Sequence, residues 1–330
     1  MSSTIAGAEI QQGNATAGTE IQQDNAAGWR RELGLLDATL LVAGSMIGSG
    51  IFIVSADITR HTGSAGWLIA VWLIGGFMTL TAALSYGELS GMYPKAGGQY
   101  VYLKEAYNPL VAFLYGWSLF TVIQTGTIAA VGVSFYKFLA YFIPAVSEDN
   151  ILFTIGSFKV SPAQILAIAT IFGLTWINSR GIKKGKIIQT TFTLTKVVSM
   201  AALILFGLVF LKHDVWNANW SHAWTLRSIS GTGSITEYMD KPALWGAVAA
   251  ALVGAIVSYD AWNNVTFVAG EINNPKRNIG FSLLLGTIIV TALYVLLNLM
   301  FTAVLPLEGI ATAQKDRVGI AAADAIFGPA

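Results

Sequence analysis

The stretch Gly44-Ser45-Met46-Ile47-Gly48-Ser49-Gly50 lies within the first long apolar segment of the chain and decides its fold. Its three glycines and two serines weaken a helix, because glycine loses the most backbone entropy on ordering and serine competes for backbone hydrogen bonds. A break in a membrane helix is tolerated only where protein or a water-filled cavity satisfies the freed peptide groups. The stretch predicts either an unwound span beside a cavity or, through the GxxxG pair of Gly44 and Gly48, a tight packing surface between helices.

A break of this kind also creates a surface that attracts negative charge. The first N–H groups of the half-helix that follows have no acceptor within that helix, and the helix dipole adds partial positive charge at the same end. Both features favour a bound carboxylate. The first interpretation of the stretch therefore includes a site for an anionic group in the middle of the membrane.

The composition of the chain indicates that most of its surface faces lipid. The 330 residues are 54% hydrophobic and only 11% charged, whereas soluble domains carry about 25% charged residues. The net charge of +1 gives no indication of nucleic-acid binding. The absence of cysteine excludes a disulfide-linked partner through this chain. The three histidines lack metal-ligand spacing, and we expect neither a metal nor a cofactor.

Apolar stretches of about 20 residues, long enough to cross a bilayer as a helix, recur along the sequence. They predict an all-α membrane protein whose membrane domain covers residues 29–330. The predicted spans lie at residues 33–58, 66–92, 109–143, 163–178, 187–211, 243–269 and 279–305. Residues 307–330 look like the approach to another span, and we therefore expect a fragment that is truncated before an eighth span.

The distribution of lysine and arginine predicts the orientation of the chain. Most basic residues in short loops, including the run Arg180–Lys186, fall on the same predicted side as the N-terminus. Cytoplasmic loops carry this excess, so we predict a multi-pass protein of the cell (inner) membrane with a cytoplasmic N-terminus. Residues 1–28 are polar and contain a local duplication, Glu9–Ala15 and Glu20–Ala26, which is typical of a disordered tail.

The predicted sixth span contains a second interruption, Val257-Ser258-Tyr259-Asp260-Ala261-Trp262-Asn263-Asn264. A carboxylate inside a membrane is costly, so Asp260 has to face a cavity or a partner. A structural hydrogen bond between helices is the alternative. Two interrupted helices in one membrane protein are the pattern that indicates the binding site of a transporter.

The predicted fifth span contains a lysine, Lys196, well inside its apolar segment. At this depth an ammonium group does not easily reach the membrane surface, and an unpaired one is costly. A fixed positive charge here can take the place of a sodium ion, or the group can exchange a proton. A structural lysine bound to backbone carbonyls is the remaining interpretation.

Together these motifs resemble the amino acid–polyamine–organocation family, and within it the L-type amino acid transporters and their bacterial relatives. The resemblance lies in the glycine-serine run of span one, the Tyr259–Asn263 segment, Lys196, the loop Glu271–Ile279 and the segment Tyr86–Tyr100. It extends from about residue 33 to residue 317. The resemblance implies two five-helix repeats of inverted topology, of which this chain supplies the first and only the start of the second.

The resemblance also implies a substrate site at the two breaks. The predicted substrate-binding residues are Met46, Ile47, Gly48, Ser49, Gly50, Val257, Tyr259, Asp260 and Asn263. In the family, backbone N–H groups that match Gly48–Gly50 bind the substrate carboxylate. Backbone carbonyls that match Met46, Val257 and Asp260 hold the amine, and Asn263 matches a polar position that braces the broken helix.

Further positions carry over with differences. Lys196 matches the lysine that fills the sodium position in the family. Ala261 stands where the family usually has glycine, Val257 replaces a bulky aromatic residue of mammalian relatives, and Gly280 replaces the usual proline. These differences leave the size of the substrate open.

The residues and the resemblance both predict an amino acid transporter that works by alternating access. We predict a sodium-independent exchanger or facilitator in which Lys196 stays charged, with an amino acid as its small-molecule substrate and the lipid bilayer as its surroundings. A proton-coupled symporter in which Lys196 titrates is one alternative. A receptor or structural subunit without turnover is an alternative of another class. Nothing in the sequence resembles the acid–base or nucleophile–base pair of an enzyme.

Overall fold

Long apolar helices and two small hairpins form the structure of this protein, obtained as a computed structural model. It describes residues 31–156, 158–180, 182–238 and 240–328, so the predicted N-terminal tail lies outside the described residues. The helices are α1 (Leu35–Met46), α2 (Gly50–Thr62), α3 (Ala65–Met92), α4 (Gln99–Ala106), α5 (Pro109–Ser118), α6 (Gln124–Phe142), α7 (Pro162–Asn178), α8 (Ile182–Val209), α9 (His213–Ser221), α10 (Lys241–Ser258), α11 (Pro275–Val304), α12 (Leu307–Ala311) and α13 (Val318–Phe327). The strands are β1 (Phe153–Ile155), β2 (Phe158–Val160), β3 (Arg227–Ile229) and β4 (Ile235–Glu237), which pair as two antiparallel hairpins, β1–β2 and β3–β4.

Several of these helices are long and apolar enough to cross a membrane. Within the described residues they number five: Ala65–Met92, Pro109–Phe142, Gly185–Val209, Lys241–Glu271 and Pro275–Val304. The pair α1 and α2 makes a sixth if it is one span bent by 46°, while α7 is shorter, with 17 residues. The prediction of an all-α membrane protein is confirmed.

Two spans depart from regular α-helix in their interiors. The predicted third span runs through α5, a π-helical turn at Leu119–Ile123, and α6. The predicted sixth span runs through α10 and then, after a break, a 3₁₀ helix at Trp262–Glu271 with a kink at Val268. Long 3₁₀ segments and π turns are uncommon and often mark functional positions. Both irregular segments line the same cavity, which is described below.

Helix α11 is the centre of the bundle and packs against α3, α1 and α8. Three large aromatic side chains, Trp72, Tyr259 and Tyr294, are fully buried where α3, the break of span six and α11 meet. Their ring centroids lie 5.1–5.7 Å apart, the separation at which aromatic pairs attract one another. This cluster fixes the position of the break of span six relative to α3 and α11.

The end of the bundle where α1 begins, which the basic residues predict to be cytoplasmic, is fastened by backbone and side-chain contacts. The N–H of Leu33 donates to the carbonyl of Glu271 at 3.0 Å, and the N–H of Asn273 donates to the carbonyl of Leu33 at 2.9 Å. Lys186 of α8 forms a 2.8 Å ion pair with Asp37 of α1. We call this the inner end; here α1 is tied to both span six and α8.

The opposite end of span one is fastened by an arginine of α2. Arg60 forms a 2.7 Å ion pair with Asp316 and donates to the carbonyl of Ala311 at 2.9 Å. A Cβ at Gly319 of α13 would lie 2.7 Å from the ring of Phe52, so α13 approaches α2 closely. Because both ends of span one are held, its break in the middle has a fixed position.

Candidate functional site

The break of span one separates α1 from α2 inside the glycine-serine stretch. Helix α1 ends at Met46 and α2 begins at Gly50, and Ile47 between them adopts an extended conformation with φ −73° and ψ 94°. The Ser49 side chain makes no capping hydrogen bond to the start of α2. The first N–H groups of α2 are therefore directed into the break, where a helix N-terminus favours negative charge.

The glycines of this stretch have different surroundings. A Cβ at Gly44 would collide with Thr193 Oγ1 of α8, so Gly44 allows α1 and α8 to pack closely. A Cβ at Gly48 would meet no atom of the described chain within 4 Å. Helix packing, the alternative interpretation of the GxxxG pair, therefore accounts for Gly44 and leaves Gly48 facing open space.

The break of span six lies directly beside that of span one. Helix α10 ends at Ser258, and a Cβ at Gly50 would lie 2.9 Å from Ser258 Oγ. Ala261 has φ 68° and ψ 6°, in the left-handed region that disfavours residues with a side chain. Such backbone persists only where the surrounding structure imposes it, and Ala261 is the position at which the resemblance expects glycine.

A tyrosine that the sequence did not indicate joins the two breaks. The fully buried Tyr294 hydroxyl lies 2.8 Å from the carbonyl oxygen of Met46 and 3.1 Å from that of Ser258. Tyr259 donates its hydroxyl to the carbonyl of Trp72 at 3.0 Å. The last peptide groups of α1 and α10 are thus held by α11. In the sequence, the signal for this contact was a single tyrosine, Tyr294, in the middle of an apolar span.

Lys196 contacts the backbone of span one. Its Nζ donates to the carbonyl of Ile47 at 2.8 Å and to the carbonyl of Gly44 at 3.3 Å. These carbonyls belong to the last turn of α1 and to the break, where the helix dipole places partial negative charge. The ammonium group therefore occupies a position that suits a cation. Its binding to carbonyls is also what the interpretation of Lys196 as a structural lysine predicts.

A polar cavity of about 250 Å³ lies between the break of span six and span three. It is lined by Gln99, Tyr115, Leu119, Ile123, Gln124, Thr127, Asp260, Ala261, Asn263, Asn264 and Phe267. Asp260 and Asn263 are the members of the predicted site that line it. Pockets for drug-sized ligands measure about 300–1,000 Å³, so this smaller cavity suits a smaller group.

Gly48, Ser49 and Gly50 form the end of the break of span one and the start of α2, and the other predicted site residues form three sets. Met46 and Ile47 are buried at the break of span one. Tyr294 bonds to the Met46 carbonyl and packs against the ring of Tyr259, which connects these residues to the break of span six. Asp260 and Asn263 open into the cavity. Val257 has an exposed side chain that does not line this cavity, which leaves its carbonyl as the group that contributes to the break.

Two adjacent helix breaks inside a bundle of membrane spans are the pattern found in many secondary transporters. The sequence profile of the amino acid permease family matches residues 33–330. The chain belongs to this family, and the predicted resemblance is confirmed.

Curated relatives are amino acid transporters. The b(0,+)-type amino acid transporter 1 of Mus musculus is 30% identical over 304 residues, which cover 91% of this chain and 56% of the relative. The serine/threonine exchanger SteT of Bacillus subtilis is 30% identical over 295 residues, which cover 89% of this chain and 60% of the relative. The Asc-type amino acid transporter 1 of Mus musculus is 29% identical over 280 residues, which cover 84% of this chain and 49% of the relative. The chain spans about half the length of the curated relatives it matches.

Proposed function

We propose that this chain carries the zwitterion site of a sodium-independent amino acid transporter, an exchanger or facilitator that works by alternating access. The observation that supports this proposal is the adjacency of the two breaks, which the Tyr294 hydroxyl joins through Met46 and Ser258. The N–H groups at the start of α2 then lie beside the carbonyls at the ends of α1 and α10. A zwitterion presents the matching pair of charges.

The substrate carboxylate binds the N–H groups of Gly48, Ser49 and Gly50 in this proposal. The open space at Gly48 leaves room for the carboxylate to approach the backbone. The amine binds the carbonyls of Met46, Val257 and Asp260. Although the Met46 carbonyl already accepts a bond from Tyr294 and the Val257 carbonyl one from the N–H of Asp260, a carbonyl oxygen has two lone pairs and can accept a second donor.

Lys196 supplies the fixed positive charge of the site in this proposal. Its contacts with the carbonyls of Ile47 and Gly44 support this role, since they hold an ammonium group beside the break. Transport then requires no sodium. Alternating access follows if the inner and outer fastenings of span one release in turn, with the inner end, which carries the Asp37–Lys186 pair, at the cytoplasmic face of the cell (inner) membrane.

Proton coupling through Lys196 is the second candidate function. The observation that favours it is that the hydrogen bonds of Lys196 go to neutral carbonyls. Neutral acceptors stabilise the charged form of an amine less than a carboxylate does. Loss of the proton would weaken the contacts of Lys196 with these carbonyls and couple the protonation state to the shape of span one.

Reconstitution of the chain in liposomes tests the proposal. We expect labelled amino acid to enter vesicles preloaded with unlabelled amino acid, at the same rate with and without sodium and with and without a pH gradient. Uptake that follows the imposed pH gradient would favour the symporter. Amino acid binding without counterflow would favour a receptor or structural subunit, and neither binding nor uptake for any of the common amino acids would contradict the proposed function.

A further inference from the structure

The π turn of span three is an irregularity that the zwitterion site does not use. The N–H of Gln124 donates to the carbonyl of Leu119, five residues earlier, in place of the usual four. Thr125 Oγ1 donates to the carbonyl of Phe120 at 2.6 Å, again five residues earlier. One turn before, Thr121 Oγ1 donates to the carbonyl of Trp117 over the regular four residues, at 2.8 Å. The irregularity is therefore local to Leu119–Ile123.

The π turn changes which face of span three carries Gln124. In an α-helix with 3.6 residues per turn, residue 124 lies about 140° around the axis from residue 119. In a π turn the residue five positions on takes the place that the residue four positions on has in an α-helix. Gln124 is thereby brought to the same face as Leu119, and both side chains line the cavity.

The cavity that this face lines has hydrogen-bonding groups on both sides, among apolar side chains. Gln124 and Thr127 contribute an amide and a hydroxyl from span three, and Asp260 and Asn264 contribute a carboxylate and an amide from span six. Asp260 is also one of the residues whose carbonyl holds the amine in the proposed site. A substrate whose amine is held by the Asp260 carbonyl therefore lies beside a space that contains hydrogen-bonding groups.

We propose that Gln124, placed by the π turn, is a specificity-determining residue that selects amino acids with a short hydrogen-bonding side chain over apolar ones of the same shape. This inference rests on the proposed function. An apolar side chain that covers these groups displaces their water without replacing its hydrogen bonds, whereas a hydroxyl or amide pairs with them. A site built to bond a polar group rejects the analogue that lacks it more strongly than an apolar pocket rejects an added hydroxyl.

Threonine and valine, which have the same shape and differ by a hydroxyl, provide the test. The full chain in lipid nanodiscs is equilibrated with labelled threonine, and unlabelled threonine and valine compete for it. We expect a preference for threonine of at least about tenfold in the unchanged chain. In Gln124→Leu, which keeps a similar volume, the preference falls to within about threefold, because valine binds more tightly and threonine less tightly.

A second pair of variants tests the π turn without changing the cavity lining. Thr125→Val removes the hydroxyl bond to the Phe120 carbonyl, and Thr121→Val makes the same change at the regular turn. We expect Thr125→Val to reduce the preference for threonine and Thr121→Val to leave it unchanged. A monodisperse elution profile of each variant shows that it is folded.

The outcomes separate this inference from the proposed function. If the chain binds amino acids but shows no preference for threonine over valine, or if Gln124→Leu keeps that preference, the role of Gln124 is wrong and the zwitterion site stands. Equal effects of Thr125→Val and Thr121→Val overturn the role of the π turn. Failure of the unchanged chain to bind any amino acid overturns the proposed function and this inference with it.

Discussion

The hydroxyl oxygen of Tyr294 lies 2.8 Å from the carbonyl oxygen of Met46, so a side chain of α11 satisfies the last peptide group of α1. The same hydroxyl lies 3.1 Å from the carbonyl of Ser258, the last residue of α10. The single hydrogen of this hydroxyl is shared between the two carbonyls, so one buried group contacts both broken spans. A movement of either break away from α11 exposes a carbonyl that has no water to bond, which couples the two spans.

Replacement of Tyr294 by phenylalanine tests this coupling. The change leaves the carbonyls of Met46 and Ser258 without their shared donor, and we expect a cost of about 1–3 kcal/mol in stability. Tyr136→Phe is the matched control, since Tyr136 donates to the Leu166 carbonyl at 3.1 Å between α6 and α7, away from both breaks. Thermal unfolding in detergent should show both losses, whereas only Tyr294→Phe should weaken amino acid binding. Equal affinities in the two variants would show that Tyr294 does not shape the site.

Replacement of Lys196 by methionine tests the fixed positive charge. The variant loses the contacts with the carbonyls of Ile47 and Gly44 and keeps most of the apolar stem. We expect exchange in liposomes to be lost, or to become dependent on an added cation. Lys212→Met, at an exposed lysine just beyond α8, should exchange at the normal rate. Normal exchange by Lys196→Met, unaffected by pH and by sodium, would refute the assigned role.

Alanine substitutions at Gly48 and Gly44 distinguish a role in substrate binding from a role in helix packing. Gly48→Ala adds a methyl group where no atom lies within 4 Å, so we expect normal stability and an affinity for amino acid at least about tenfold weaker. Gly44→Ala forces the methyl group against Thr193 and should lower the melting temperature. Equilibrium binding and thermal unfolding of both variants give the comparison. Unchanged affinity in Gly48→Ala would remove the backbone N–H groups from the proposed site.

Removal of the ion pair between Asp37 and Lys186 tests whether this pair holds the inner end closed. Because the chain has no cysteine, a single cysteine in place of Ser45 reports access to the break by its rate of maleimide labelling. We expect Lys186→Gln to raise that rate by up to about fivefold, since a partly exposed ion pair contributes about 0.2–1 kcal/mol. The charge-swapped Asp37→Lys, Lys186→Asp double variant should restore it.

Lys315→Gln provides the control for this measurement. Lys315 pairs with Asp149 on the opposite end of the bundle, so its loss should leave the labelling of the break unchanged. An increase in both variants, or in neither, would show that the Asp37–Lys186 pair does not hold the inner end.

The sequence predicted where the two spans break, because those positions depend on local chemistry. The Gly44–Gly50 stretch combines residues that disfavour helix, and the 257–264 stretch places polar side chains inside an apolar span. The helix ends at Met46 and Ser258 fall within these stretches. Local composition is sufficient for such predictions, since it decides whether a helix can continue.

Three features of the site had no comparable signal. Tyr294 reaches both breaks only because of the way α11 packs against α1 and α10, and α11 is apolar around much of its circumference. The π turn consists of Leu119–Ile123, residues that fit an α-helix equally well. The left-handed conformation of Ala261 is imposed by its surroundings against the preference of its own side chain. Each feature depends on tertiary contacts that no local pattern encodes.

Competition by amino acids with one blocked terminus tests zwitterion recognition at the two breaks. Labelled amino acid bound to the full chain in nanodiscs is challenged with the free amino acid, its methyl ester and its N-acetyl derivative. If the N–H groups of Gly48–Gly50 bind the carboxylate and the carbonyls of Met46, Val257 and Asp260 bind the amine, only the free amino acid displaces the label. Displacement by the ester or by the N-acetyl derivative at similar concentrations would contradict binding through the paired backbone groups of the breaks.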